Sequence, residues 1–230
     1  MAEEAQRRPV LKVGPGFVLS GKPYKGYDDD VFPIGMVFYE SPTWSFRGTE
    51  AGYRLFGTES LDFKAIARWR FDGYDDDESS ALTGMDRRHM TVDGGASLAW
   101  SGDWGALTAS FVNDLFGRHD GREFRLGYSK RFALGELSLT PSVGMRWQSD
   151  NLVRYYYGVE TDEVRAGRPR YRPKEAINPY AGVSLSYDLE GPWSLYGALQ
   201  YEWLASEITD SPIIEDHHRL SVLAGLLYEF

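Results

Sequence analysis

Ser211, His217 and Asp210 supply the residue types of a nucleophile, a base and an orienting carboxylate. His119, His218, Asp114, Asp120 and Glu207 lie in similar polar stretches, and His89 stands at the start of an apolar segment. Close sequence neighbours rarely aim at one point, and Ser211-Pro212 reads as a turn, so no catalytic residue is assigned. Two acidic runs, Asp28-Asp29-Asp30 and Asp75-Asp76-Asp77-Glu78, carry carboxylates suited to a hard cation. Neither has the spaced ligands and the glycine of a calcium loop, so both read as solvated loop charge. There is no cysteine, which excludes disulfides and thiolate metal sites. Zinc motifs and phosphate-binding glycine loops are missing too, and neither metal nor cofactor is expected.

A larger set of charges recurs at alternate positions of apolar segments: Asp62, Lys64, Arg68, Arg70, Asp93, Arg125, Arg131, Arg146, Asp188, Glu202 and Glu229. Alternation puts them all on one wall of a sheet. Acids and bases are mixed, which gives little ion selectivity. A salt-bridged interior is therefore the reading, with a narrow basic path from Arg68, Arg70, Arg125 and Arg146 as the alternative. Residues 148–177 form a long connection with Tyr155-Tyr156-Tyr157 and basic residues that include Arg168; Tyr171 follows. Loops of this length are usually functional or disordered, and the tyrosines offer rigid contact area. The segment is either a lid over a mouth or a binding surface.

These side chains need strands to hold them. The last segment places apolar or small residues at 220, 222, 224, 226, 228 and 230, ending on Tyr228 and Phe230. An exposed terminal aromatic suits a last strand that faces lipid and closes on the first. Eleven more segments alternate, most of them in the same way. They are Pro9 to Ser20, Val31 to Glu40, Thr43 to Arg47, Gly52 to Gly57, Leu61 to Phe71, Met90 to Trp100, Trp104 to Leu115, Glu123 to Phe132, Leu137 to Trp147, Asn178 to Asp188 and Trp193 to Trp203. No helical periodicity of useful length is seen.

Tight connections at Ser41-Pro42, Ser101-Gly102-Asp103, Ala133-Leu134-Gly135 and Glu190-Gly191-Pro192 interleave with long polar ones at 21–30, 72–89, 116–122, 148–177 and 205–217. That asymmetry predicts an all-β chain: a transmembrane antiparallel up-and-down barrel with short periplasmic turns and long extracellular loops. Twelve strands are expected, or ten if 43–57 is not a hairpin. Trp100, Trp104, Trp147, Trp193, Trp203, Tyr228 and Phe230 fall where interfacial girdles and a C-terminal assembly signal belong. A mean hydropathy of -0.42 looks soluble, but alternating strands hide their apolar face from any average. A net charge of -9 argues against nucleic acid as a partner. No signal peptide is seen, and Met1-Ala2-Glu3-Glu4-Ala5 reads as a start methionine on a mature chain. The expected organisation is a flexible segment 1–8 and one barrel over 9–230.

Several patches add to this reading: Leu82-Thr83-Gly84-Met85, D-L-F-G-R-H-D-G from Asp114 to Gly121, Tyr156-Tyr157-Gly158-Val159 followed by Arg168-Pro169-Arg170-Tyr171, Asp210-Ser211-Pro212-Ile213, and Leu227-Tyr228-Glu229-Phe230. In this order and spacing the chain resembles the MipA/OmpV family of outer-membrane proteins over most of its length. The resemblance implies a barrel in the outer membrane of Gram-negative bacteria, in contact with lipid and lipopolysaccharide. For some members it implies a scaffold joining a lytic transglycosylase to a peptidoglycan synthase, and for others adhesion or osmotic adaptation. It carries over no catalytic residues. The function expected is a non-catalytic scaffold for cell-wall remodelling enzymes, with a small channel or solute-binding barrel as the alternative and a lipid- or murein-modifying enzyme behind both.

Overall fold

Alternation of apolar and polar residues dominates the chain, and the backbone follows it. The computed structural model describes residues 9–27 and 31–230; the run Asp28-Asp29-Asp30 and segment 1–8 lie outside the described residues. The strands are β1 (Val10–Ser20), β2 (Val31–Glu40), β3 (Trp44–Arg47), β4 (Glu50–Gly57), β5 (Leu61–Arg70), β6 (Thr91–Gly102), β7 (Gly105–Asp114), β8 (Arg122–Ser129), β9 (Phe132–Leu134), β10 (Leu137–Gln148), β11 (Ala176–Asp188), β12 (Trp193–Trp203) and β13 (His218–Glu229). Each pairs antiparallel with its sequence neighbours, except that β8 and β9 both pair with β10, and β13 returns to β1 through pairs such as Lys12↔Glu229 and Val18↔Leu223. Closure of β13 on β1 leaves neither the first nor the last strand as a free sheet end.

Thirteen segments make twelve staves. β8 and β9 lie on the same edge of β10, against 142–148 and 137–139 respectively, so they are one strand interrupted at Lys130-Arg131. The 43–57 pair is a true hairpin, with Trp44↔Tyr53 and Arg47↔Glu50 in register, which settles the count at twelve rather than ten. Its turn is Gly48-Thr49, where Gly48 takes φ 60°, the left-handed conformation a two-residue hairpin turn asks of glycine at its first position. This is the one very short connection on the long-loop side.

Register assigns the walls. Outward residues are apolar and exposed: Phe63, Leu98, Phe111, Val143, Leu185 and Leu199 are all more than a third exposed. Aromatics gather at both rims. Trp100, Trp104 and Tyr128 form one ring chain, and Trp193, Tyr228 and Phe230 another, at the periplasmic end. Trp147 and Trp203 stand at the extracellular ends of their strands, with Trp203 packed on Tyr201. At the seam, Gly16 and Gly225 leave room for buried Met36; a Cβ on either would run into its sulfur.

The hydrophobic core lies outside the barrel wall. It is built by the loops: Tyr24 from β1–β2, Tyr74, Leu82 and Met85 from β5–β6, Leu152, Val153, Tyr156, Tyr157 and Val159 from β10–β11, and Leu204, Ile208, Ile213 and Ile214 from β12–β13. Two helices that the sequence reading did not foresee organise it, α1 (Asp150–Tyr157) and α2 (Ser206–Thr209). α1 buries Leu152, Val153, Tyr156 and Tyr157 on one face. Each such apolar side chain contributes about 1.5–3 kcal/mol on burial, which stabilises a folded cap across the extracellular mouth.

Candidate functional site: a charge lattice under an extracellular cap

Beneath the cap the inward charges form one connected lattice. Glu123, 1% exposed, is its hub. Its Oε1 accepts from Arg68 Nη1 at 3.1 Å and Arg125 Nε at 2.5 Å. Its Oε2 accepts from Arg70 Nη2 at 2.9 Å and faces Arg146 Nη1 at 3.8 Å. Arg68 also donates to Glu50, Arg70 to Asp93 and Asp72, and Arg146 to Glu202. Arg219 adds Nη1 to Asp72 Oδ1 at 2.9 Å and Nη2 to the Tyr157 hydroxyl at 2.7 Å. Five arginines (68, 70, 125, 146, 219) thus face five carboxylates (50, 72, 93, 123, 202). Buried charge persists only when paired in this way. A second, lower cluster joins Arg54, Lys64 and Arg47 to Asp62 and Glu40.

Arg68, Arg70, Arg125, Arg146 and Glu202 therefore meet in the upper lattice, while Asp62 and Lys64 belong to the lower cluster. Arg131 belongs to neither. It stands near the periplasmic rim, donating to Ser138 Oγ at 2.7 Å. Asp188 is at the same rim, and Glu229 pairs with Lys12 at 2.9 Å. The sequence reading missed Glu123, although it shares a face with Arg125, because it stands at the edge of a strand, second after Arg122. It also missed Arg219, which is in phase with the inward positions 221 and 223 of β13.

The cap tyrosines are structural partners of this lattice. Tyr155, Tyr156 and Tyr157 lie on α1. The Tyr155 hydroxyl accepts from His89 N at 3.0 Å, and Tyr156 donates to the His89 carbonyl at 3.2 Å. Arg168, 4% exposed, donates to the carbonyls of Glu163, Ala81 and Thr83. Tyr171 donates to the Glu207 carbonyl at 3.1 Å. Tyr156, Tyr157 and Arg168 are thus buried cross-links between loops. Burial pushes the Tyr74, Tyr156 and Tyr157 hydroxyls above the usual tyrosine range. Burial also acts to raise Asp72, but Arg219, Arg70 and Arg146 outweigh it and hold that carboxylate well below its ordinary range.

The residues that suggested hydrolytic chemistry are occupied otherwise. Ser211 is 2% exposed and its hydroxyl donates to the Tyr157 carbonyl at 2.6 Å; among the described residues no hydrogen bond joins it to His217, which is exposed. His119 Nδ1 accepts from Gly121 N at 3.0 Å, which leaves Nε2 to donate to Asp93 Oδ1 at 3.1 Å. Asp114 accepts from the backbone N–H groups of Phe116, His119 and Asp120 and from Thr91 Oγ1. Asp93, Asp114 and His119 come close enough to hold a cation, but these hydrogen bonds already account for the cluster as a loop brace. In the acidic loop, Asp75 pairs with Arg87 and Glu78 with Lys22.

A closed antiparallel barrel with a lipid-facing apolar wall, tight turns at one end and long folded loops at the other is an outer-membrane β-barrel protein. The chain belongs to the MipA family: the family model described as MltA-interacting protein MipA matches residues 13–230. It is 32% identical over 223 residues to the MltA-interacting protein of Escherichia coli strain K12, covering 96% of this chain and 90% of that one. It is 30% identical to the putative outer membrane protein YiaT of the same strain, over 96% of this chain and 91% of the relative. Outer membrane protein OmpV of Vibrio cholerae is 29% identical over 77% of this chain and 70% of its own. The protein is a component of the bacterial outer membrane.

Proposed function

We propose that this chain is a non-catalytic adaptor of the outer membrane, holding a lytic transglycosylase and a peptidoglycan synthase at its periplasmic face. The cap carries the reading. A mouth closed by a packed core, above a lattice of five cations and five anions, suits a rigid platform better than a selective path. The related Escherichia coli protein that bears an MltA-interacting name supports the choice of partner. Contact falls to the periplasmic turns, including 41–43, 58–60 and 189–192. The test is capture of a purified lytic transglycosylase by the detergent-solubilised barrel. Capture should be lost when these turns are replaced by glycine-serine turns of equal length, with heat-modifiable migration kept as the control for folding. No capture by the intact barrel overturns the reading.

A solute-binding barrel or small channel is the second reading, favoured by a lumen cavity of about 400 Å³. Planar-bilayer recording separates the two: the adaptor is electrically silent, whereas stable unitary steps establish a channel.

A further inference from the structure

The wall has a gap. β2 pairs with β1 along its length, from Val10↔Glu40 to Leu19↔Val31. Its other edge pairs with β3 only at Phe38, Tyr39 and Glu40, because the β3–β4 hairpin turns back at Gly48-Thr49. On the far side, Thr49 O receives Trp69 N, and among the described residues β5 has no strand partner on that edge above this point. Among the described residues nothing bonds to the free edge of Val31 to Val37. At about 3.3 Å per residue this is on the order of 23 Å of open strand. Pro33 sits within it, and proline is tolerated in a strand where a ladder partner is missing.

The outer rim of the opening is apolar, while Arg68 and Arg70 face inward on its β5 side. Its rim carries Val31, Trp69 and Phe71, each 57% exposed. Register turns Phe32, Ile34 and Met36 toward the lumen, yet Phe32 is 52% exposed, whereas Asp93, Asn178 and Glu202, which face inward near the extracellular ends of their strands, are at most 3% exposed. Phe32 and Ile34 pair with Val18 and Gly16. Val18 in turn lines the lumen cavity of about 400 Å³, with Leu223, Ala198, Ser184, Gln200 and Thr140. Apart from Gln200 these are small or apolar side chains, and the charge lattice contributes none of the cavity lining. The gap is continuous with the lipid-facing belt, so the molecule that fills the belt is the one in reach of it.

We propose that the barrel admits one acyl chain of a membrane lipid sideways, between β2 and β5 above the short hairpin, into the lumen cavity behind Val18 and Leu223. The headgroup stays at the rim, where its ester and phosphate oxygens and their water meet the unpaired β2 backbone. This site is independent of the proposed periplasmic partners.

The test uses the full chain in phosphatidylcholine vesicles, with a photoactivatable amino acid placed at Leu223, which faces inward, or at its neighbour Val222, which faces the bilayer. A third variant carries the probe at Leu223 together with Ala198→Trp, which fills the cavity. Val222 yields a lipid adduct in any barrel and controls for insertion. The proposal expects a lipid adduct at Leu223 as well, reduced at least fivefold by Ala198→Trp while heat-modifiable migration persists. An adduct at Val222 with only the water-quenched product at Leu223 overturns it. So does a Leu223 adduct that Ala198→Trp leaves unchanged, because the chain would then not lie in the cavity.

Discussion

Glu123→Gln tests whether the lattice is a shared brace or a set of independent pairs. The hub carboxylate faces four arginines at 2.5–3.8 Å. At an effective dielectric of 20, a pair of charges about 4 Å apart attracts by roughly 4 kcal/mol before desolvation is set against it. The amide keeps one acceptor oxygen but loses the charge, and the ten-membered lattice goes from balanced to one excess positive charge. Removing one partner from a buried set costs about 3–5 kcal/mol. Guanidinium unfolding in detergent, followed by tryptophan fluorescence, should fall by that amount. Arg125 contacts the lattice only through Glu123, so the double variant Glu123→Gln/Arg125→Gln restores balance and should recover more than half of the loss. A single-variant cost below about 1 kcal/mol, or losses that simply add, would refute the idea that these charges act as one unit.

Three further outcomes follow from the cap. Leu152→Ala empties a fully buried position on α1 and should cost about 2–5 kcal/mol, read as faster protease nicking of the extracellular loops with the barrel left intact. Ser211→Ala removes one hydroxyl bond to the Tyr157 carbonyl and should cost about 0.5–1.5 kcal/mol without changing transglycosylase capture; loss of capture would show that the seryl group acts beyond the cap. Burial raises the Tyr74, Tyr156 and Tyr157 hydroxyls above the ordinary tyrosine value of about 10. Their contribution is therefore fully present below pH 10 and is lost as pH rises through the folded-state values. Absorbance titration should show a late tyrosine class that ionises together with loss of the cap; a single class at the ordinary tyrosine range would contradict this.

The wall was legible in the sequence because lipid on one side and charge on the other force a period of two; β12 runs from Trp193 to Trp203 as the alternation reads, and β13 differs only at its final residue. The cap was not legible, for two physical reasons. α1 is eight residues long and contains Val153 and three tyrosines, which are poor helix formers, so it is held by tertiary burial. Its signal was present only as the apolar pairs 152–153 and 156–157, one helical turn apart. The lattice was half legible. Arg68, Arg70, Arg125 and Arg146 lie mid-strand or near a strand end in plain alternation, but Asp72 is in a loop and Glu123 is the second residue of its strand, where phase is hardest to assign. Nor did strand pattern alone reveal that β3 is too short to cover β2, since the gap is a property of register among four strands.

The loops that build the cap leave the wall at widely separated staves, from β1 to β13, and none of them holds a complete apolar nucleus alone. Their shared core cannot condense until the first and last strands have met. An ordered cap is thus a surface-visible certificate of finished insertion: a stalled or half-zipped chain displays slack, cleavable polypeptide to the outside world, and only a sealed ring withdraws it.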